Sequence, residues 1–378
     1  MSKRKKKQLR AAFRKNRTRR ARQGDVTRKF HADKTDDDPA REERLSGKGE
    51  LTRRRTVRGQ EVDDGTGLGV LLDVDEAACL PGRVLAVYGL TSTVEAADGR
   101  QYQCAVRRLL KTLHTDLRHV VAAGDRVLFR PADEREGIIE RIEPRHGVLS
   151  RESRGRQHVI VANVDQLVIV ASAAEPYLKP NLIDRFLVSA EQSHLPAIIC
   201  INKADLVDRA ALEPLIGVYA QMGYTVLLVS AKSGLGVDRL RKRLVGQQSV
   251  VAGQSGVGKS SLLNAVQPGL GLTVAAVSAE TQKGRHTTTT ARLIPLADGG
   301  HVVDTPGIRQ FQLWDVVPAE VAGFYRDLRP LVSLCAFPDC THNHESGCAV
   351  KDAVADGWLD VRRYESYLHL FAGDTPLV

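Results

Sequence analysis

An eight-residue segment constrains the fold of this chain more than any other feature. Gly253-Gln254-Ser255-Gly256-Val257-Gly258-Lys259-Ser260 fits the pattern Gly-x-x-x-x-Gly-Lys-Ser. The valine-containing run 249–252 precedes it and the apolar run 261–266 follows it, which predicts a strand, a glycine loop and a helix in succession. Such a loop wraps phosphates with backbone N–H groups at a helix N-terminus. A chance glycine-rich turn is the alternative, and the flanking pattern disfavours it.

The last two residues of this loop and a second motif complete a predicted triphosphate site. Lys259 is expected to contact the β- and γ-phosphates, and the Ser260 hydroxyl to bind Mg²⁺. Asp304-Thr305-Pro306-Gly307 follows the apolar run 301–303, so the Asp304 carboxylate would hold the Mg²⁺ shell while the Gly307 N–H faces the γ-phosphate. The nucleotide-binding residues predicted in the loop are Gly253, Gln254, Ser255, Gly256, Val257, Gly258, Lys259, Ser260 and Ser261. These motifs predict a nucleoside triphosphatase.

A second pair of motifs predicts which base is bound. Asn202-Lys203-Ala204-Asp205 ends the apolar run 197–201, and Ser230-Ala231-Lys232 follows the run 226–229. The Asp205 carboxylate can accept hydrogen bonds from N1–H and N2 of guanine, whereas adenine offers neither donor there. A site built for that pairing rejects the wrong base by roughly 10⁴-fold. Asn202 would brace the loop, the Lys203 stem would cover the base, and the Ala231 N–H would face O6.

These motifs stand in an unusual order. The base-recognition motifs normally close a GTPase domain, yet here they precede the phosphate loop and Asp304. Open α/β sheets bind ligands at the carboxyl ends of their strands, so the chain ends can be moved without disturbing that crevice. The sequence therefore predicts a circularly permuted P-loop α/β GTPase domain, whose segment after Asp304 runs directly into the C-terminal domain and could transmit nucleotide state to it.

A cluster of soft ligands lies near the C-terminus. Cys335, Cys340, His342 and Cys348 fall within fourteen positions and suit a closed tetrahedral zinc site. On spacing alone His344 competes with His342, and free buried cysteines are the other alternative. Cys79, Cys104 and Cys200 are scattered and are interpreted as small core residues. Without a signal peptide or a membrane-length apolar run, the sequence predicts a cytoplasmic protein that has no membrane contact and no structural disulfides.

The positive charge is concentrated in one tail. The first thirty residues hold fourteen Lys or Arg and one acid, a balance of +13; since the chain carries +10, the rest carries −3. We expect this segment to be disordered when free and to bind nucleic acid through its charge, with a merely solvated tail as the alternative. A mixed-charge linker, for which no regular structure is predicted, continues to about residue 65.

Five β-like runs follow, at 83–88, 92–95, 101–106, 125–129 and 137–142. Asp98-Gly99 marks a hairpin turn between two of them. Five strands in about seventy residues suit an OB-like barrel that binds RNA, and a barrel serving as a spacer is the alternative. The predicted domains are a basic tail and linker at 1–65, an OB-fold domain at 66–152, the GTPase domain at 153–312 and a zinc-binding, mainly helical domain at 313–378.

With these motifs the chain resembles the RsgA (YjeQ) family of circularly permuted GTPases over residues 80–372. The resemblance implies one zinc ion at Cys335, Cys340, His342 and Cys348, which favours His342 over His344. It also implies binding to the small (30S) ribosomal subunit during late assembly. We predict a monomer whose partners are GTP or GDP and the small subunit with its 16S rRNA. Slow GTP hydrolysis would be stimulated by that subunit. The linker at 31–65 has no counterpart that we can match to the family.

This chain lacks the glutamine that positions the attacking water in many GTPases, so another residue must supply the catalytic group. Ile308 stands where many of them place a water-orienting glutamine. The run 284–290 lies where the mobile first switch belongs, and by resemblance Thr288 completes the Mg²⁺ shell and His286 is catalytic, orienting or deprotonating water. The second hypothesis is an RNA-binding switch that uses GTP for affinity and hydrolyses it only incidentally. An ATP-driven enzyme is a weaker third hypothesis, which Asp205 disfavours.

Overall fold

The computed structural model of the chain describes residues 7–12, 54–61, 70–113, 120–152, 157–272, 291–304 and 317–373. Within these ranges no helix combines the length and apolar character that a membrane span requires. The described residues form a small N-terminal sheet, a β-barrel, an α/β domain and a helical C-terminal domain.

The N-terminal sheet corrects one prediction. The sequence predicts no regular structure in residues 1–65, but β1 (Lys7–Ala12) and β2 (Arg54–Glu61) are strands, and β3 (Val70–Leu72) completes an antiparallel sheet in the order β1-β2-β3. The register runs from Lys7 opposite Gly59 to Ala12 opposite Arg54. Low apolar content was the reason for predicting disorder, yet a ladder is built from backbone groups and needs no apolar side chain. The remainder of residues 1–65 lies outside the described residues.

The predicted barrel is confirmed. Its strands pair in the order β4-β5-β6-β8-β7, and β7 closes back onto β4. Alternate residues point inward, so Val84, Val94, Phe129 and Ile139 fill the interior with almost no exposure. The elements are β4 (Leu80–Tyr88), β5 (Thr91–Ala96), β6 (Gln101–Val106), α1 (Arg108–Leu113), β7 (Arg126–Pro131) and β8 (Glu136–Ile142).

A hairpin of β9 (Leu149–Glu152) and β10 (Gln157–Val161) connects the barrel to the next domain. It spans the boundary predicted between residues 152 and 153. The barrel side of this junction is fixed by Arg145 and Asp125, both fully buried, whose closest atoms lie 2.7 Å apart. The Asp125 carboxylate also accepts a hydrogen bond from the Ala122 N–H, which fixes its position. The charge pair therefore anchors Arg145, which lies shortly before the hairpin, to the barrel.

The α/β domain is a six-stranded sheet in the order β13-β12-β11-β14-β16-β15, and all neighbours are parallel except β15. The strands are apolar because helices cover both faces, with α2 and α3 on one side and α4 and α5 on the other. The elements are β11 (Gln166–Ser172), α2 (Pro180–Gln192), β12 (Ala197–Asn202), α3 (Glu213–Gln221), β13 (Thr225–Leu228), α4 (Val237–Leu244), β14 (Gln248–Ala252), α5 (Lys259–Val266), β15 (Arg292–Pro295) and β16 (His301–Asp304).

Barrel and α/β domain share one continuous sheet. β15 pairs antiparallel with β4 at Arg292 and Ala86. Beside this junction Arg83 donates to Gln248 Oε1 at 2.7 Å, and Gln248 in turn donates to the Ala162 carbonyl at 2.6 Å. The barrel is therefore hydrogen-bonded to the strand that leads into the phosphate loop.

The C-terminal domain is mainly helical, as predicted. It contains α6 (Arg329–Val332), α7 (Ala349–Ala355) and α8 (Val361–Phe371), preceded by a 3-10 helix at Pro318–Phe324. Arg363 of α8 is buried and pairs with Asp184 of α2 at 2.5 Å and with Asp327 at 2.9 Å. Tyr219 of α3 donates to the same Asp184 carboxylate at 2.8 Å. This buried charge cluster docks the domain onto the α/β domain.

Candidate nucleotide and metal sites

The strand order brings the dispersed nucleotide motifs to one edge. β11, β12, β13, β14 and β16 are parallel, so their carboxyl ends meet at the same side of the sheet. Asn202 ends β12, Ser230 follows β13, Gly253 follows β14, and Asp304 ends β16. The permuted sequence therefore rebuilds the spatial order of an ordinary nucleotide crevice.

Asn202 joins the base side of this edge to the phosphate loop. Its side chain is buried, donates to the Val257 carbonyl at 2.8 Å and accepts from the Ala231 N–H at 3.2 Å. The predicted bracing role fits these contacts. The Ala231 N–H, expected to face O6 of guanine, is directed at Asn202 in this structure. One side chain thus fixes the spacing between the base loop and the phosphate loop.

Asp205 and Lys203 flank this bridge. The Asp205 carboxylate is exposed, and a hydrogen bond from Ser230 lowers its pKa, with Lys232 adding a smaller lowering effect. It is therefore ionised at neutral pH, as recognition of N1–H and N2 requires. Lys203 has a left-handed backbone, with φ 61°, and its ammonium group donates to the Glu175 carbonyl in the loop after β11. That bond ties a third loop to the site.

The phosphate loop has the backbone that its glycines predict. Gly258, with φ 88°, begins α5, and a Cβ there would lie 2.5 Å from the Asn202 amide nitrogen. Gly253 has φ 147°, and a Cβ there would lie 2.2 Å from the Val170 carbonyl oxygen. Only glycine fits both positions. The Lys259 ammonium donates to the Gly253 and Gln254 carbonyls at 2.7 Å each, so it lies over the loop that would hold the phosphates.

Several predicted residues cannot be placed. His286, Thr288 and Gly307 lie outside the described residues, as do the side chain of Asp304 and position 308. The backbone of Asp304 is described and pairs with Arg292 across β15 and β16. The base side and the phosphate loop are thus visible, whereas the residues assigned to catalysis remain predictions.

The four predicted metal ligands converge in the C-terminal domain. One ligand atom from each of Cys335, Cys340, His342 and Cys348 lies within 4.8 Å of all the others. His342 Nδ1 is 3.4 Å from Cys335 Sγ and 3.5 Å from Cys348 Sγ. Burial lowers the pKa of His342, which favours the neutral imidazole that binds metals. The cluster can hold one metal ion, and three thiols with one imidazole are the ligands that zinc prefers.

The loop around His342 settles the choice that spacing left open. His344 is 80% exposed at its side chain and stands outside the cluster, whereas His342 is buried within it. The backbone of His342 has φ 57°, and its carbonyl accepts from the Tyr364 hydroxyl at 2.8 Å. Glu345 accepts from the Thr341 hydroxyl and backbone N–H and from the Asn343 and His344 N–H groups. These hydrogen bonds lower the pKa of Glu345, so its carboxylate stays charged and fixes the loop.

Two structural contributors escaped the sequence analysis. Glu175 supplies only a backbone carbonyl to Lys203, and a main-chain contact leaves no residue-type signal. The Asp184–Arg363 pair joins residues 179 positions apart, and neither falls in a recognised motif. The available signal was Asp184 between the apolar residues Ile183 and Phe186 of α2, since a buried carboxylate requires a partner.

Comparison with known proteins decides the family. A family model described as RsgA GTPase matches residues 142–314. The small ribosomal subunit biogenesis GTPase RsgA of Ectopseudomonas mendocina (strain ymp) is 43% identical over 300 residues, which cover 77% of this chain and 84% of the relative. The chain belongs to the RsgA GTPase family. It is therefore a GTP hydrolase.

Other RsgA relatives and solved structures agree. The protein of the same name from Chlorobaculum parvum (strain DSM 263 / NCIMB 8327) is 40% identical and covers 77% of this chain and 97% of the relative. The crystal structure of YjeQ from Thermotoga maritima aligns with a TM-score of 0.66 at 35% identity, over 78% of this chain and 98% of that one. YloQ, titled a circularly permuted GTPase, aligns with a TM-score of 0.62 at 29% identity, over 81% and 99%. The RsgA fold and its permutation are thus shared.

Proposed function

We propose that this GTPase binds the small (30S) ribosomal subunit and assists its late assembly, with slow GTP hydrolysis that the subunit stimulates. The observation that carries this proposal is the relation to proteins named small ribosomal subunit biogenesis GTPase RsgA, which covers 77% of this chain. Because this relation extends over 300 residues, well beyond the residues 142–314 that the family model matches, the proposal is not limited to the GTPase domain.

GTP or GDP would occupy the edge already described. Asp205 would pair with guanine N1–H and N2, with Asn202, Lys203 and Ala231 around the base. Lys259 would leave the loop carbonyls to bind the phosphates, a movement that requires only its flexible side chain. The remaining nucleotide contacts proposed are Ala204, Ser230, Lys232, Gly253, Gln254, Ser255, Gly256, Val257, Gly258, Ser260, Ser261, Thr288, Asp304 and Gly307.

We propose that the chain binds two kinds of metal ion, Mg²⁺ together with GTP and zinc in the C-terminal domain. Mg²⁺ would accompany GTP, held by the Ser260 hydroxyl with Asp304 and Thr288 near it, and would neutralise phosphate charge. One zinc ion would bind Cys335, Cys340, His342 and Cys348, where four protein ligands leave no open position for chemistry. Burial raises the pKa of the Cys340 thiol to about 12. Metal binding would therefore release protons as the thiols ionise.

Catalysis would depend on His286. Since Ile308 cannot position water, we propose that His286 orients the attacking water or takes its proton once subunit binding orders the first switch. That requirement explains why a free protein with a complete nucleotide site would hydrolyse GTP slowly.

The remaining proposals concern organisation. We propose a monomeric cytoplasmic protein with domains at 1–65, 66–152, 153–312 and 313–378. The barrel and the basic N-terminal segment would contact 16S rRNA, the tail through charge neutralisation of phosphates. β1 within that segment places basic residues on an antiparallel sheet next to the barrel.

A GTPase assay with isolated small subunits, large subunits and neither tests the proposal. Multiple-turnover hydrolysis should rise at least about 10²-fold with small subunits and stay near the basal rate with large ones. Equal rates in all three reactions would contradict stimulation. Small-subunit binding that strengthens with GTP but leaves hydrolysis at the basal rate would favour the RNA-binding switch instead.

A further inference from the structure

The outer face of helix α4 is mainly basic, and its one acid, Asp238, is exposed beside the cations. Val237, Leu240 and Leu244 are the buried residues of this helix, so the opposite side faces solvent. Arg239, Lys242 and Arg243 are exposed there. Positions i, i+3 and i+4 lie on one face of a helix, which makes these three cations a single patch. We call Arg239, Lys242 and Arg243 the α4 patch.

The α4 patch has no internal counter-charge in the part of the chain that the structure describes. The acid of α4, Asp238, pairs with Arg241 at 2.5 Å. Arg241 also donates to the Val266 carbonyl at the end of α5, so its charge serves the contact between the two helices. No hydrogen bond or ion pair is described for the side chains of the α4 patch.

The chemistry of this face selects one kind of partner. A protein interface of comparable size would require buried aromatic or aliphatic anchors, and the α4 patch contains none. A membrane-surface helix would direct its apolar face outward, whereas the apolar face of α4 packs on the sheet. Clustered cations on a rigid helix, whose one exposed acid is already paired with Arg241, match the phosphate backbone of a nucleic acid.

We propose that the α4 patch is a contact surface for the phosphate backbone of RNA in the small ribosomal subunit. The proposal rests on the proposed function and adds a surface on the GTPase domain, separate from the barrel and the N-terminal segment. α4 directly follows the base loop at Ser230–Lys232 and packs beside α5 of the phosphate loop. RNA would then be held next to the nucleotide site without contacting the nucleotide.

Matched charge removal tests this proposal. Arg239→Gln/Arg243→Gln removes two cations from the α4 patch. Arg209→Gln/Arg329→Gln removes two exposed arginines from other surfaces and is the control. Affinity for isolated small subunits, measured from 50 to 200 mM salt, should fall about tenfold or more at low salt for the first variant, and its log–log salt slope should become shallower by about 2. The control should keep both values, and both variants should keep GTP affinity.

Three other results would count against the α4 patch or against the proposed function. Unchanged affinity and slope in Arg239→Gln/Arg243→Gln, or the same loss in the control, would overturn the proposal. A loss for subunits but none for protein-free small-subunit rRNA would assign the patch to a ribosomal protein and also overturn it. If the unmodified chain fails to bind small subunits, the proposed function fails; the protein-free rRNA titrations then decide the α4 patch on their own.

Discussion

The nucleotide edge and the metal cluster of this chain are assembled in opposite ways. The nucleotide motifs extend from Asn202 to Asp304 and meet only because five parallel strands end at one side of a sheet. The four metal ligands lie between Cys335 and Cys348, on loops that short helices join. The first site is a product of topology, and the second is a product of local sequence.

This difference determines what stabilises each site. The nucleotide edge rests on a large core that covers both faces of the sheet, and the Asn202 side chain bridges two of its loops. The metal cluster has a small core, and α6 spans only four residues. A metal bound at such a cluster would contribute directly to the folding free energy of a small domain. We therefore expect loss of the metal site to leave nucleotide binding intact, and loss of nucleotide binding to leave the metal site intact.

The largest expected effect is complete loss of metal from Cys340→Ser. Zinc should fall from one ion per chain to none, since a three-ligand remnant loses the closed tetrahedral shell. Hydrogen exchange should accelerate in residues 335–348, while GTP affinity should stay within about twofold. Cys79→Ser, a cysteine of the barrel region outside the cluster, is the control and should keep its zinc. Full zinc occupancy in Cys340→Ser would refute the assignment of the cluster.

Asp205→Asn tests the other site. The substitution should lower the preference for GTP by roughly 10⁴-fold and favour xanthosine triphosphate, whose position 2 carries an oxygen instead of an amine. Titration of both nucleotides into Asp205→Asn and into the control Asp208→Asn would measure it. An unaltered preference for GTP in Asp205→Asn would mean that another group selects the base.

Arg363→Met tests the junction between the two regions. It leaves Asp184 buried without its charged partner, so the C-terminal domain should lose about 3–5 kcal/mol of unfolding free energy. The neighbouring pair of Arg362 and Asp360 is partly exposed, so Arg362→Met should cost less than about 1 kcal/mol. Hydrogen exchange in α8 as a function of urea reports both values. Equal losses of unfolding free energy in the two variants would show that the buried pair does not hold the C-terminal domain on the α/β domain.

His286→Ala gives the smallest of these effects and concerns the phosphate side. GTP affinity and small-subunit binding should be retained, while the stimulated rate falls about 10²-fold because water loses its positioning group. Single-turnover hydrolysis at saturating small subunits is the measurement, with the exposed His369→Ala as the control. A full stimulated rate in His286→Ala would place the catalytic group elsewhere, on the ribosome or on another residue.

Much of the fold and of both sites could be predicted because the signals are local. The five barrel strands, the strand before Gly253 and the helix after it carry periodic or motif patterns, and Cys335 to Cys348 form a compact spacing. Spacing alone left His342 and His344 open and the family resemblance favoured His342; in the structure the Tyr364 hydroxyl and the Glu345 carboxylate hold the loop with His342 inside the cluster.

The wrong and missing predictions share a physical cause. β1 and β2 pair through backbone groups, so their basic composition did not reveal the sheet at 7–12 and 54–61. Arg363 and Asp184 meet across two domains, and no spacing rule connects them. The contact of the Ala231 N–H with the Asn202 side chain also joins two loops that lie 29 positions apart. Long-range pairing and backbone bonding leave little trace in a single sequence.

The central claim is that a permuted chain rebuilds a guanine site from loops that only the sheet brings together. Titration of the unmodified chain with GTP and with ATP, each with Mg²⁺, tests it most directly. Because Asp205 can pair with guanine and not with adenine, GTP should bind roughly 10⁴-fold more tightly than ATP. Affinities for GTP and ATP within a few-fold of each other would contradict the claim, because the loops at 202–205 and 230–232 would then not recognise guanine.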